Sequence, residues 1–288
     1  DLGLPEMDFR AAATAGARSV VIGVAPSGGA LKAEWVSALG EALRAGLSVV
    51  SGLHRKLSEE PVLVAAAAAS GQQLIDVRVP PASIPIASGR QRSGKRLLMV
   101  GTDCCVGKKY SALALHRALK ARGVAATFRA TGQTGILIAG GGIPMDAVVS
   151  DFLSGAAEML TPDAAPDHWD VIEGQGSLFH PAYAAVTLGL LHGSQPDAMV
   201  LCHAVGRTVI DEYEDYPVPD LRDCIAQYEQ AARVTNARAR VVGISLNTQG
   251  CDEAGALSAC DEISSLTGVP CIDPMRHALD PILDALPG

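Results

Sequence analysis

A loop bounded by two glycines and ending in a lysine is the feature of this sequence that most directly indicates chemistry. Gly101 follows an apolar run at 97–100 that predicts a strand, and Lys108 precedes an amphipathic run at 109–122 that predicts a helix. Glycine lets the backbone fold closely around an anion, so the N–H groups of the loop and of the helix N-terminus point at a bound phosphate. We therefore predict a phosphate loop made of Gly101, Thr102, Asp103, Cys104, Cys105, Val106, Gly107, Lys108 and Lys109.

Two departures from the common phosphate-loop pattern bear on the ligand. Five residues separate Gly101 from Gly107, one more than the common pattern has. Lys109 stands where serine or threonine ordinarily holds Mg²⁺. The missing hydroxyl argues against Mg-ATP chemistry, and the added charge suits a ligand with several phosphates, such as coenzyme A. We expect no metal cofactor, and we count Lys108, the point charge of the loop, as a catalytic candidate.

A glycine-rich segment at residues 171–181 begins with the last residues of a short predicted strand, which ends at Glu173. Glu173 would leave the carboxyl end of that strand, the edge where open α/β sheets bind ligands. Glu173 and His180 are the candidate general bases, because a positioned carboxylate or imidazole can accept a proton near neutral pH. Gln175 and Ser177 are candidate substrate-binding residues in the same segment. The alternative is a glycine-rich turn in which Glu173 only caps a helix.

Arginines are the candidates for holding the carboxylates of a substrate, because a guanidinium pairs with a carboxylate bidentately. Arg129 lies at the end of a predicted strand, and Thr131 and Gln133 follow it with neutral hydrogen-bonding groups. Arg92 and Arg207 are further candidates. The alternative for each arginine is a surface position without a ligand.

Asn247 and the adjacent cysteines of the phosphate loop each leave two interpretations open. Asn247 ends a predicted strand, where its amide would either read the edge of an adenine or cap a turn. Cys104 and Cys105 lie at a helix N-terminus, where thiolate is favoured, so one of them is a candidate nucleophile. Simple packing is the favoured interpretation of both thiols.

The composition excludes several classes of function. The 288 residues are 48% hydrophobic, 19% charged and 4% aromatic, and the formal charge is 23 − 31 = −8. A chain without a basic surface or many aromatic rings is a poor nucleic-acid binder. No apolar run reaches the ~18 residues of a membrane span, and the first residues lack a signal pattern. Seven cysteines without a C-x-x-C pair argue against zinc and disulfides and favour reduced thiols in the cytoplasm.

Strand-length apolar runs alternate with helix-length amphipathic segments, which predicts parallel sheets covered by helices. The segment 80–94 breaks this alternation with prolines, glycines and arginines. The predicted fold is α/β: an N-terminal Rossmann-like domain at 1–88 and a C-terminal P-loop NTPase-like, doubly wound domain at 89–288. The alternative is one sheet with a long internal loop. The predicted strands are 19–24, 47–51, 73–79, 97–100, 125–130, 171–173, 198–202, 240–245 and 269–273, and the predicted helices are 31–45, 61–70, 109–122, 147–160, 221–235 and 253–267.

The phosphate loop resembles that of dethiobiotin synthetase, which reads Gly-Thr-Asp-Thr-x-Val-Gly-Lys-Thr. Cys104 and Lys109 depart from that loop, and the glycine-rich segment after Glu173 and the position of Asn247 are similar to the same enzyme. This likeness leaves open an alternative activity, that of an ATP- and Mg²⁺-dependent carboxylate-activating ligase. The matching positions are Gly101, Thr102, Asp103, Val106, Gly107 and Lys108.

Longer motifs make the chain similar, over essentially its whole length, to a P-loop-containing family long described as of unknown function. The characterised type of that family is D-glutamate N-acetyltransferase, so the resemblance implies transfer of acetyl from acetyl-CoA to the amine of D-glutamate in D-amino-acid catabolism. Family members usually carry further N-terminal residues with a first strand, so upstream residues are expected here. The motifs are GTDCCVGK, FRATGQTGILIAG, DHWDVIEGQGSLFHP and LGLLHGSQPDA.

These observations lead us to expect a cytoplasmic, homo-oligomeric N-acetyltransferase. Its partners are CoA and a D-amino acid rather than nucleic acid or a membrane. Two alternatives remain, the ligase and a regulatory module that binds a nucleotide without turnover. The residue roles in this expectation come from side-chain chemistry and not from the family.

Overall fold

The alternating runs of the sequence form two separate parallel sheets in the structure, a computed structural model that describes residues 3–24, 26 and 30–288. The chain divides into two units, residues 1–80 and 81–288. The predicted boundary after residue 88 lies inside the second unit. Among the described residues, no helix combines the length and the apolar character needed to cross a bilayer.

The first unit is a three-stranded parallel sheet in the order β1-β2-β3 with helices that connect its strands. Its apolar core includes Leu39 and Leu43 of the second helix, Val49 of the central strand and Leu63 of the third helix. The elements are α1 (Phe9–Thr14), β1 (Ser19–Val21), α2 (Ala33–Arg44), β2 (Ser48–Ser51), α3 (Pro61–Ser70) and β3 (Leu74–Asp76).

The second unit is a six-stranded parallel sheet in the order β11-β10-β7-β4-β6-β5, and a short antiparallel hairpin, β8-β9, stands apart from it. The elements are β4 (Lys95–Gly101), α4 (Lys108–Ala121), β5 (Ala126–Arg129), α5 (Gln133–Ala139), α6 (Leu153–Leu160), β6 (Trp169–Ile172), α7 (Ala184–Ser194), β7 (Ala198–Ala204), β8 (Val209–Ile210), β9 (Tyr213–Pro217), α8 (Leu221–Ala232), β10 (Arg240–Asn247), α9 (Glu253–Thr267), β11 (Cys271–Ile272) and α10 (Asp280–Asp284).

Strand β4 lies at the centre of this sheet, between β6 and β7. Its successive side chains enter opposite cores, Leu98 on the face covered by α6 to α9 and Leu97 on the face covered by α4 and α10. The chain leaves β4 towards the β5 edge and later crosses to β7 on the other side. The direction in which successive strands are added to the sheet therefore reverses at β4. Doubly wound sheets bind ligands at such a point. The predicted fold class is confirmed.

The predicted helix at 147–160 is shorter than expected. Residues Met145–Ala147 and Ser150–Phe152 form separate 3₁₀ turns, and the α-helix begins only at Leu153. Val148 and Val149 between the turns have ψ angles of 135°, an extended conformation that suits β-branched side chains. The break follows from these two residues.

Three elements of the second unit that were not predicted from the sequence are α5, α7 and the β8-β9 hairpin. Helix α7 is apolar on nearly every side and packs against α6, so it lacks the one-sided pattern that marks a helix in a sequence. Strands β8 and β9 are short, and β9 is mostly exposed. Such strands carry little hydrophobic signal.

Candidate active site

The phosphate loop closes directly between β4 and α4. Gly107 has a φ of 107° and precedes the first residue of α4, Lys108. The ammonium of Lys108 is buried and donates to the carbonyl oxygen of Asp103 at 2.7 Å. Burial lowers the pKa of Lys108. The ammonium therefore bridges the loop, from its last residue back to Asp103.

Side chains around the loop hold its shape. The hydroxyl of Thr102 lies 2.9 Å from Nδ1 of His203, and burial, aided by Arg207, lowers the pKa of His203 to about 4. The buried carboxylate of Asp103 accepts N–H groups from Cys104 at 2.6 Å, from Arg207 at 3.1 Å and from Asp211 at 2.8 Å. The loop is therefore tied to β7 through a neutral histidine and to the β8-β9 hairpin through Asp103.

Tyr228 of α8 joins the phosphate loop to the glycine-rich segment, and sequence reasoning missed it. Its fully buried hydroxyl donates to the carbonyl of Gly101 at 2.7 Å and accepts the N–H of Leu178 at 3.1 Å. The edge of its ring meets Phe179 with the ring centres 5.5 Å apart. One tyrosine in an amphipathic helix pattern gives no sign of such a role, so no signal in the sequence could have found it.

Glu173 directly follows β6, and the structure brings it together with Thr131. Its Oε2 accepts the N–H groups of Thr131 at 2.9 Å and Gly132 at 3.0 Å, just before α5. The Thr131 hydroxyl donates to the Glu173 carbonyl at 2.7 Å and accepts from Gln175 at 3.3 Å. Burial raises the pKa of Glu173, while the two N–H groups and Lys109 oppose that rise. Glu173 thus lies at the expected sheet edge and also anchors the turn into α5.

His180 lies against the phosphate loop. One donor atom each from Asp103, Cys104 and His180 lies within 4.8 Å of the others. Nδ1 of His180 accepts the N–H of Ala182 at 3.1 Å, and the buried ring contacts Tyr183 with the ring centres 4.5 Å apart. A neutral ring that accepts at Nδ1 carries its proton at Nε2.

The two loop cysteines differ in environment. Burial raises the pKa of the Cys104 thiol to about 11, so this thiol is protonated near neutral pH and does not suit a nucleophile. Cys105 is exposed and has a φ of 56°, the left-handed region. Val106 is buried in the core beneath α4. Lys109 is half-buried on the first turn of α4, with its ammonium 4.7 Å from the centre of the Tyr110 ring.

Two of the arginines predicted to bind substrate have partners within the protein. Arg92 is buried at the amino ends of the strands, opposite the phosphate loop, where it donates to the carbonyls of Thr161 at 2.7 Å and Gly193 at 2.6 Å. Arg129 turns back along the sheet and donates from Nε to the buried Asp170 at 2.7 Å. Arg207 does lie at the loop, although its Nη1 already pairs with Asp103.

The remaining predicted residues fall around the same edge of the sheet. Ser177 is buried, and its hydroxyl accepts the N–H of Phe179 at 3.2 Å. Gln133 is half-buried and begins α5. Asn247 ends β10, and its Oδ1 accepts the N–H of Gln249 at 3.0 Å. It therefore caps a turn, which is one of the two interpretations that the sequence left open.

Two cavities open beside the phosphate loop and share Asn247 and Gln249. The first has a volume of about 330 Å³ and is mostly apolar. The second has a volume of about 640 Å³ and is polar, with charged groups of both signs from the segment that includes the β8-β9 hairpin. The first is lined by residues that include Val106, Tyr110, Leu246, Asn247, Pro274 and Met275, and the second by residues that include Cys105, Arg207, Thr208, Asp211, Glu212 and Glu214.

The fold and this loop define a two-domain α/β protein with a P-loop domain at its C-terminal end. Residues 85–283 match the family described as "Domain of unknown function (DUF1611_C) P-loop domain", and residues 1–80 match "Domain of unknown function (DUF1611_N) Rossmann-like domain". The chain belongs to the DUF1611 family.

Two relatives and a solved structure resemble the chain over nearly its whole length. A D-glutamate N-acetyltransferase from Tritonibacter scottomollicae is 50% identical over 99% of this chain and 86% of its own length. A second D-glutamate N-acetyltransferase, from a Pseudoalteromonas species, is 47% identical over 98% of this chain and 85% of its own length. The crystal structure of a DUF1611 family protein from Anabaena variabilis ATCC 29413 is 41% identical, with a TM-score of 0.90 over 97% of this chain and 82% of that one. The family resemblance expected from the motifs is confirmed.

Proposed function

We propose that this protein transfers the acetyl group of acetyl-CoA to the amine of D-glutamate. The observation that carries the proposal is the 50% identity, over 99% of the chain, with a protein named D-glutamate N-acetyltransferase. We extend it, from the resemblance described above, to a role in D-amino-acid catabolism and to a cytoplasmic homo-oligomer.

The phosphate loop and the first cavity support acetyl-CoA as the donor. The diphosphate of CoA would lie on the loop N–H groups and on Lys108 and Lys109. The apolar first cavity is next to the loop, and Tyr110 and Asn247 line it. An adenine there would stack on an aromatic ring and meet an amide that can donate and accept hydrogen bonds.

The reaction needs a base rather than an enzyme nucleophile. The amine nitrogen attacks the thioester carbon, the C–S bond breaks, and CoA leaves as a thiolate that takes up a proton. Glu173 suits the base, because its raised pKa strengthens it as a proton acceptor and its Oε2 is fixed by two N–H groups. His180 carries its proton at Nε2 and suits a hydrogen-bond donor to the oxyanion or to the thiolate. The N–H groups of residues 174–177 are further candidate donors.

The acceptor amino acid would bind among charged groups of both signs, which a zwitterion requires. Arg207 is the predicted arginine that the structure leaves at the loop, and it lines the polar second cavity with Asp211 and Glu214. Gln133 and Gln175 are half-buried near Glu173 and would add neutral hydrogen bonds. Thr131 and Ser177 are committed to local bonds and would act by shaping the site.

Product formation from acetyl-CoA and a panel of D- and L-amino acids tests the proposal, with mass spectrometry as the readout. We expect acetylated D-glutamate in excess of acetylated L-glutamate. Glu173→Gln should lower kcat by about 10²-fold or more, the contribution of a general base. Glu229→Gln, a change on α8 outside the site, is the matched control. No acetylated product from any amino acid would overturn the proposal.

A further inference from the structure

Two positions in P-loop proteins ordinarily serve a magnesium ion: the hydroxyl after the loop lysine and an acidic residue at a neighbouring strand end. In this chain the first position is Lys109. The second is Glu173, which directly follows β6 beside β4. The oxygen atoms of the neighbouring residues can bind the ion only where their lone pairs are free of other partners.

One oxygen of Glu173 and both oxygens of Asp103 accept hydrogen bonds from N–H donors. Oε2 of Glu173 accepts two backbone N–H groups, at 2.9 and 3.0 Å. The carboxylate of Asp103 accepts three, one of them from Arg207. A magnesium ion at a phosphate loop is held by one or two carboxylate or hydroxyl oxygens together with phosphate oxygens and water. To bind it, Oε2 of Glu173 or the carboxylate of Asp103 would first have to release these N–H groups.

The hydroxyls at the loop also have protein partners. The Thr102 hydroxyl pairs with His203 at 2.9 Å. Ser111 donates to the carbonyl of Gly107 at 3.0 Å and lies 2.7 Å from the Ser245 hydroxyl. The raised pKa of Cys104 keeps that thiol protonated, so it is no anionic ligand either. With Lys109 in place of the hydroxyl that follows the loop lysine, Mg²⁺ lacks the side-chain ligand that the common phosphate loop supplies.

Lys109 supplies a positive charge at the position of the missing hydroxyl. It lies on the first turn of α4, where helix N–H groups have no acceptor one turn earlier. Its charge acts on Glu173 and favours the carboxylate form, as a divalent ion at that position would. Its ammonium lies against Tyr110 at the rim of the first cavity.

We propose that the Lys109 ammonium takes the place of the divalent cation, so that the phosphate loop binds diphosphate esters without metal. The ligand class is an adenosine diphosphate group, free or as part of CoA. The inference rests on the phosphate-binding part of the proposed function and is independent of acetyl transfer. The ammonium groups of Lys109 and Lys108 balance the two negative charges of the diphosphate of CoA, and the loop N–H groups face the third charge that ADP carries.

Calorimetric titration with ADP and with CoA tests this, each in excess EDTA and in excess magnesium chloride. The wild-type protein should bind both ligands in EDTA with dissociation constants within about twofold of those in magnesium. Lys109→Thr restores the common hydroxyl. It should weaken binding in EDTA by about tenfold or more, the loss of one charge-assisted bond, and magnesium should recover part of that loss.

Two variants separate this effect from a general disturbance. Lys109→Arg keeps the cation and should retain metal-free binding. Lys120→Thr makes the same change at an exposed lysine in the last turn of α4 and should bind like the wild type.

Absence of wild-type binding in EDTA, whether magnesium restores it or not, would overturn the inference, as would unchanged metal-free binding by Lys109→Thr. The outcome is separable from that of the proposed function. Metal-free binding without any acetylated product would leave this inference standing and reject the transferase. Acetylated product that forms only with magnesium would reject this inference and support the transferase.

Discussion

Replacing Tyr228 with phenylalanine removes a single hydroxyl from the buried contact between the phosphate loop and the glycine-rich segment. Two short bonds are lost, to the carbonyl of Gly101 at 2.7 Å and from the N–H of Leu178 at 3.1 Å, and a longer one from the N–H of Gly101 at 3.4 Å. The ring that packs against Phe179 stays. Each buried group left unsatisfied costs about 1–3 kcal/mol, so loss of the two short bonds should lower the free energy of unfolding of the second unit by about 2–6 kcal/mol.

Tryptophan fluorescence during urea unfolding measures this loss. The chain has two tryptophans, Trp35 in the first unit and the buried Trp169 in the second. In a Trp35→Phe background, the signal therefore reports the second unit alone. The KM for acetyl-CoA should also rise, because Gly101 begins the loop, whereas a tyrosine with a purely structural role would leave KM unchanged.

Tyr216→Phe is the matched control, because Tyr216 is half exposed on β9. It should alter neither the urea midpoint nor KM. A Tyr228→Phe variant within about 0.5 kcal/mol of its background, the range of ordinary surface substitutions, would refute the assigned role of the hydroxyl.

Three further perturbations follow from the geometry. Gly174→Ala would place a Cβ 1.8 Å from the carbonyl oxygen of Met99, so the protein should be recovered largely insoluble or with a strongly lowered melting temperature. Alkylation by iodoacetamide, mapped by peptide mass, should modify Cys105 at neutral pH and Cys104 only as the pH approaches about 11, because burial disfavours its thiolate. Arg92→Met should lower unfolding free energy by about 3 kcal/mol without changing the KM for amino acid, since it breaks a buried charge network.

Each of these has a result that would contradict it. A Gly174→Ala protein that melts like the wild type would show that the segment moves away from β4 freely. Equal alkylation of both cysteines at neutral pH would refute the buried, protonated state of Cys104. A raised KM for the amino acid in Arg92→Met would show that Arg92 serves substrate binding rather than stability alone.

The phosphate loop and Glu173 were placed correctly relative to the sheet from the sequence, because parallel strands put their carboxyl ends at one edge. The same reasoning could not separate Arg92 from Arg207. A single sequence does not show which guanidinium meets the carbonyls left open at helix ends, as Arg92 does with Thr161 and Gly193.

Contacts between distant segments account for the rest of what was missed. His180 was named as a candidate base from its place in the glycine-rich segment, and the sequence did not show that its ring would lie close to Asp103 and Cys104. Tyr228 reaches Gly101 across 127 residues of sequence. Such contacts depend on packing between α8 and the sheet, which the local pattern of hydrophobic residues does not specify.

Isotope transfer tests the central claim most directly. The purified protein is mixed with acetyl-CoA labelled with ¹³C in the acetyl group and with D-glutamate, in EDTA and without ATP. Liquid chromatography with mass detection should show labelled N-acetyl-D-glutamate and an equal amount of free CoA. Absence of labelled product, together with ADP release when Mg-ATP is added, would contradict the account and identify the phosphate loop as that of a ligase.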